Sequence, residues 1–192
     1  MTNKYDPDTH TYFINNIQVP SITELLPKLT YFVDPVILKE TQQQGINNHS
    51  LIKMYLDTGG TFNNSMLEAL DEFLSKNKDE FGKLLCYEKQ LYHETLMFAG
   101  TPDAIFENAI IDWKRQPGNS KIHALQISAQ HLLALKDKII KPCKKWLVVW
   151  YDKESGKFKS RNVYNDIAEQ IFIGIVKKYY IDLSVENYLK GV

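Results

Sequence analysis

Asp103, Asp112 and Lys114 put two acids and a lysine within twelve residues, in a segment running from Gly100 to Lys114. Two hard carboxylate donors suit Mg2+ or Mn2+, which can activate a water and neutralise charge on a phosphate. An ammonium beside them can orient that water or stabilise the pentacovalent transition state. These residue types in this pattern point to metal-assisted hydrolysis of a phosphodiester.

The elements that must position them are two strands and a turn. Ala104-Ile-Phe106 and Ala109-Ile-Ile111 flank Glu107-Asn108, which reads as a two-residue hairpin turn. Asp103 and Asp112 would then be neighbours at the far ends of paired strands. Asp112 and Lys114 are two apart, so they share one face of the strand, and Trp113 points to the other. The plain alternative is an ion pair at a strand end. The pattern is weak by itself, since Asp152-Lys153-Glu154 repeats it in a polar stretch reaching Gly156, where a solvated loop explains it. Asp112 differs by ending an unbroken apolar run, where an acid and a lysine are costly unless paired or metal-bound.

Around this hairpin the chain reads as alternating elements. Tyr12–Ile14 and Ile17–Val19 bracket Asn15-Asn16, a hairpin signal, and Ser21 with Glu24 offers a capping box for a short helix stopped near Pro27. Asp34-Pro35 reads as a cap with proline in the first helical turn. The periodicity then predicts helix to Leu56 with a break near Gly45, and a further helix over Ser65–Ser75. Strands are expected over 83–92, with Glu88 and Gln90 on one face, and over 95–106 and 109–114. A helix over Ile122–Leu135 carries Gln126 and Gln130. An apolar strand over Lys145–Tyr151 pairs with one around Lys157–Val163. A helix over 165–180 closes the domain, with one or two more turns over Leu183–Leu189. This order predicts an α/β sandwich with a mixed central sheet.

Bulk properties bound the function classes. A chain of 192 residues with 44% apolar and 12% aromatic content can bury a core as one domain, here 1–80 with the hairpin and helices and 81–192 as the core. No apolar run approaches the roughly 18 residues that a membrane span needs. The opening residues carry neither signal nor transit pattern, so the expected compartment is the cytoplasm. Net charge is zero, so any nucleic-acid binding must come from local patches. Lys136, Lys138, Lys141, Lys144 and Lys145 form one such cluster, with a solvated loop as its alternative. Cys86 and Cys143 are too few for a four-cysteine iron–sulfur cluster and are expected as reduced thiols.

An ordered set of motifs carries a family likeness. Gly45-Ile-Asn-Asn-His49, then Glu88, then Gly100-Thr-Pro-Asp103, then Ile110-Ile-Asp112-Trp-Lys114, then Gln126 resembles the PD-(D/E)xK nuclease superfamily. The order is that of its RecB-like exonuclease branch, which includes Cas4-type and phage exonucleases. Thr11–Leu26 also resembles the N-terminal hairpin and helix of phage members. The resemblance implies a restriction-endonuclease-like αβ sandwich with the central sheet flanked by helices. It implies that His49, Asp103 and Asp112 are metal ligands with the Trp113 carbonyl, that Glu88 binds metal directly or through water, and that Lys114 is the catalytic lysine. Gln126 matches the first residue of a glutamine-tyrosine motif that contacts DNA or steadies the site, and Gln130 stands where tyrosine is usual. With Lys144 and Lys145, these two glutamines are the candidate DNA contacts.

The activity implied by the resemblance is that of a nuclease using one or two Mg2+ or Mn2+ ions on single-stranded DNA or duplex ends, releasing 3'-hydroxyl and 5'-phosphate. The alternatives are a non-catalytic DNA-binding or assembly protein of the same fold, an RNA nuclease, or an endonuclease. Without the resemblance, His49 reads as a packed or capping histidine, Glu88 as a solvent-facing acid and Gln126 as a polar-face residue.

Overall fold

Asn15 and Asn16 take left-handed backbone, with φ of 50° and 66°, which a two-residue hairpin turn demands and asparagine tolerates. They join β2 (Thr11–Ile14) to β3 (Ile17–Val19), with β1 (Asn3–Asp6) completing a three-stranded sheet. The computed structural model describes residues 2–27, 35–60 and 63–190, and for residues 35–42 the main chain alone. Asp34, expected as a cap, lies outside the described residues. The capping box forms as expected: Ser21 accepts from the Glu24 N–H, and Glu24 accepts from the Ser21 N–H, starting α1 (Ile22–Leu25).

α2 (Pro35–Thr58) runs 24 residues without the break expected near Gly45. Glycine costs helix stability by only about 1 kcal/mol, which a long helix absorbs. α3 (Ser65–Lys76) starts where Asn64 accepts from the Met66 and Leu67 N–H groups, and the single turn α4 (Lys78–Phe81) follows.

The two long strands expected over 83–92 and 95–106 each divide in two. β4 (Leu84–Tyr87) ends where Glu88 turns left-handed at φ 43°, so Glu88 and Gln90 share no strand face. β5 (Leu91–His93) and β6 (Phe98–Gly100) pair as a separate ribbon. Thr101, Pro102 and Asp103 interrupt the second run before β7 (Ala104–Phe106), and Pro102 has no N–H to donate to a ladder.

Glu107-Asn108 makes the expected hairpin into β8 (Ile110–Lys114), with Phe106 N–H donating to the Ala109 carbonyl. α5 (Ser120–Lys136) is capped by Asn119 and returns the chain to β9 (Trp146–Asp152), which lies parallel to β8. β10 (Lys157–Asn162) pairs antiparallel with β9. The last helix, α6 (Ala168–Lys190), is continuous, not a helix to 180 with separate turns after it.

The main sheet has the order β10-β9-β8-β7-β4, so β8 is central. The result is the α/β architecture with a mixed sheet flanked by helices. Alternation splits the core into two halves. Ile110, Trp146 and Val148 pack under α5 and α6, while Ile111, Trp113, Leu147 and Val149 pack under α2 and α3. Truncating a fully buried residue such as Ile110 to alanine would cost about 2–5 kcal/mol. His131 of α5 meets Glu169 of α6 at 2.5 Å and accepts from the Cys143 N–H at 3.3 Å, which ties both helices to the approach to β9. Among the described residues no helix is long and apolar enough to cross a membrane.

Candidate active site

β8 enters the centre of the sheet with apolar residues and leaves it with Asp112-Trp113-Lys114. Alternation turns Asp112 and Lys114 toward α5 and sends Trp113 into the opposite half of the core. Asp112 is 0% exposed. Its Oδ2 lies 2.8 Å from the Lys114 ammonium, and its Oδ1 accepts from Gln126 Nε2 at 2.9 Å. A charge so placed is tolerable only because both oxygens are engaged.

Asp103 sits across the hairpin and accepts the Trp113 N–H on Oδ2 at 2.8 Å. On the other side of the same peptide chain, His49 Nε2 is 3.0 Å from the Trp113 carbonyl. A carbonyl can only accept, so Nε2 donates, and in the neutral ring the lone pair is left on Nδ1. That atom faces Asp103 Oδ1 at 3.9 Å. The hairpin, α2 and α5 thus bring His49, Asp103, Asp112, Trp113, Lys114 and Gln126 together.

The electrostatics of the cluster are strained. Burial, and next the charge of Asp112, push the Asp103 carboxyl up to about 7. Burial works against the Lys114 ammonium, but the carboxylates of Asp112 and Asp103 outweigh it and hold its pKa above the ordinary lysine value. Two carboxylates that repel one another behind one ammonium carry a surplus of negative charge. They form a hard-oxygen donor pair of the kind Mg2+ or Mn2+ takes, and His49 Nδ1 offers a borderline nitrogen beside them. Among the described residues, no three His, Cys, Asp or Glu side chains converge as a group able to hold a metal ion.

Glu88 lines the same cleft, about 730 Å³ in volume, together with His49, Lys53, Lys114 and Arg115. Its carboxylate lies 3.5 Å from the Lys53 ammonium, and its N–H donates to the Pro102 and Asp103 carbonyls at 3.0 and 3.3 Å. The left-handed turn therefore docks Glu88 on the acid loop through its main chain. Gln130 is buried one turn past Gln126, and its side-chain oxygen has no hydrogen-bond donor among the described residues. Lys144 and Lys145 precede β9 at the opposite end of the sheet, with Lys145 paired to Glu80 at 2.7 Å and Lys144 over the Tyr164 ring.

Sequence reasoning missed His123. Its Nδ1 is buried without a hydrogen-bond partner among the described residues, 3.9 Å from Asp112 Oδ2. Burial holds its pKa below the ordinary histidine value. Gly118 makes the room: φ is 38°, and a Cβ there would come within 2.6 Å of His123 Nε2. The available signal was its place three residues before Gln126, on the same helical face. Lys53, one helical turn after His49, was missed for the same reason.

No family model matches the chain, and no curated protein matches it. Among solved structures, the chain is similar to an alkaline exonuclease (LHK-Exo) from Laribacter hongkongensis, with a TM-score of 0.42 and 17% identity over 75% of this chain and 82% of that one. LHK-Exo in complex with dAMP gives a TM-score of 0.36 and 19% identity, with the same coverage. Likeness of this degree bears on neither the site nor the activity.

Proposed function

We propose that this chain is a metal-dependent DNA nuclease of the PD-(D/E)xK type, an exonuclease of the RecB-like branch. One observation carries the reading: a fully buried aspartate held on one oxygen by Lys114 and on the other by Gln126, with a second carboxylate docked on the neighbouring peptide. An ordinary ion pair does not need its aspartate at 0% exposure with a second buried acid set against it. The order of motifs in the sequence supports the same reading.

The chain's own groups have distinct parts in hydrolysis. Gln126 fixes the Asp112 carboxylate by holding Oδ1, and the Trp113 N–H does the same for Asp103. Lys114 keeps its ammonium protonated at the mouth of the cleft, where it can donate to a phosphate oxygen as charge builds in the pentacovalent state. His49, locked by the Trp113 carbonyl, presents Nδ1 on the Asp103 side. Asp103, Asp112 and His49, which do not converge as a metal-holding group in this structure, would have to draw together to hold Mg2+ or Mn2+, with Glu88 acting directly or through water, and the ion would supply Lewis acidity to water and phosphate.

The test is a time course on 5'-labelled and 3'-labelled linear DNA and on circles, with Mg2+, with Mn2+ and in chelator. Linear DNA is expected to be digested from an end, leaving 5'-phosphates, with all activity lost in chelator and in Asp112→Asn. Circles cut as fast as linear DNA would overturn the exonuclease assignment. Cleavage that survives chelator, or survives in Asp112→Asn, would overturn the nuclease site.

A further inference from the structure

β10 is an edge strand of the main sheet, and it carries Lys157, Lys159 and Arg161 at alternate positions. Alternation puts all three on one face, opposite Phe158, which is buried with Trp113 and Leu147. All three are exposed. The ladder fixes their neighbours: Lys159 pairs with Trp150 of β9, and Trp150 pairs with Lys114 of β8. Partners in register point to the same side, and adjacent strands lie about 4.8 Å apart. Lys114, Trp150 and Lys159 therefore form a straight row across three strands, from the site to the sheet edge.

The Arg161 guanidinium adds to the row at 6.0 Å from the Trp150 ring centroid. Trp113 and Trp146 are only 3% and 1% exposed, whereas Trp150 is half-buried. Trp150 lines a second cleft, about 490 Å³, which shares Arg115 with the cleft at His49 and Lys114. Asp152 at the end of β9 offsets part of the charge by pairing with Lys159.

Lysines on an edge strand guard against edge-to-edge pairing. That accounts for the charges and not for an indole set between them. Cations interleaved with an aromatic face are what an unpaired nucleic-acid strand requires, since ammonium groups take the phosphates and a base stacks on the ring.

We infer that the row Lys114–Trp150–Lys159, with Arg161, is a track for an unpaired DNA strand, with a base stacked on Trp150 beside the site. The inference rests on the nuclease reading and adds to it the class of substrate end: one that is single-stranded next to the bond to be cut.

The test is fluorescence anisotropy of the full chain with a short labelled oligothymidylate in chelator, where binding is read without cleavage. Trp150→Leu is expected to weaken binding about tenfold, while Trp150→Phe, which keeps a stacking surface, stays within about threefold of wild type. Lys159→Gln should lower the slope of log affinity against log salt by about 0.7, the value of one phosphate contact on a single strand. A blunt duplex of equal length should bind Trp150→Leu and wild type alike. Should Trp150→Leu fail to fold, the wild-type protein and Lys159→Gln still decide: the strand must quench the wild-type tryptophan emission, and Lys159→Gln must show the lower slope. Equal strand affinity in Trp150→Leu, or an unchanged slope and no quenching, would overturn the track and leave edge protection as the role of the row. Cleavage by Asp112→Asn would sink the nuclease reading without altering these affinities, so the two failures are distinct.

Discussion

Glu94 and Asp112 each face a lysine across a short gap, Lys136 in one case and Lys114 in the other, yet the two pairs are loaded in opposite ways. Burial raises the pKa of Glu94, but Lys136 and Asn3 outweigh it and bring the carboxyl down to about 2. Lys136 also lies 3.7 Å from Asp137, and the group joins the start of β1 and the end of α5 to the β5–β6 ribbon. Around Asp112 one ammonium likewise serves two carboxylates, and burial, with the charge of Asp112 next, pushes the second, Asp103, up to about 7. The count of charges is the same, one ammonium to two carboxylates, and the burial of the acids differs: the Asp137 side chain is 31% exposed, whereas those of Asp112 and Asp103 are 0% and 16% exposed. A pair whose carboxyl is pulled down is relaxed and structural, and two buried acids left short of positive charge keep an appetite for a cation.

The largest expected effect tests that shortage directly. Lys114→Ala should lower the cleavage rate by about 10²–10³-fold, the usual loss of a donor aimed at developing charge. The same variant leaves Asp103 and Asp112 facing each other, so its melting temperature should fall at pH 8 and recover on adding Mn2+. A melting temperature unmoved by Mn2+ would mean that the two acids do not share a cation.

The next effect is smaller and concerns the groups behind Asp112. Gln126→Ala and His123→Ala should each reduce activity and metal affinity by about 10–100-fold, as groups orienting a ligand do. Titration calorimetry with Mn2+ reads this apart from turnover. Wild-type metal affinity in both variants would reduce α5 to a packing element.

The smallest effect belongs to the relaxed pair. Glu94→Gln should leave cleavage unchanged. A depressed carboxyl pKa adds stability above the unfolded value, near 4.5, and that stability is lost as pH falls through about 2. The gap in melting temperature between wild type and Glu94→Gln should thus be a few degrees at pH 6 and close progressively below pH 4.5. A gap that stays constant down to pH 2 would show that the charge of Glu94 contributes nothing.

Local signals were legible in the sequence wherever the chain decides its shape within a few residues. Asn15-Asn16, the Ser21 and Glu24 box, and the Glu107-Asn108 turn each formed as read, and the last of these places Asp103 beside Asp112. Features set by distant partners were not legible. Glu88 turns left-handed because its N–H is taken by Pro102 and Asp103, fourteen and fifteen residues on, and no propensity of glutamate announces that. The parallel pairing of β8 with β9 spans the whole of α5 and decides which residues stand beside Lys114. His123 looks like any polar residue on a helix until Gly118 and Asp112 are seen on either side of it.

Residue 113 serves two masters through different atoms. Its amide nitrogen and carbonyl oxygen hold Asp103 and His49, whereas its indole belongs to the half of the core under α2 and α3. The scaffold is thereby decoupled from the reaction: any side chain that fills the same volume keeps both clasps, because every amino acid except proline brings the identical pair. Drift at this position can retune thermal robustness with the catalytic groups left where they are.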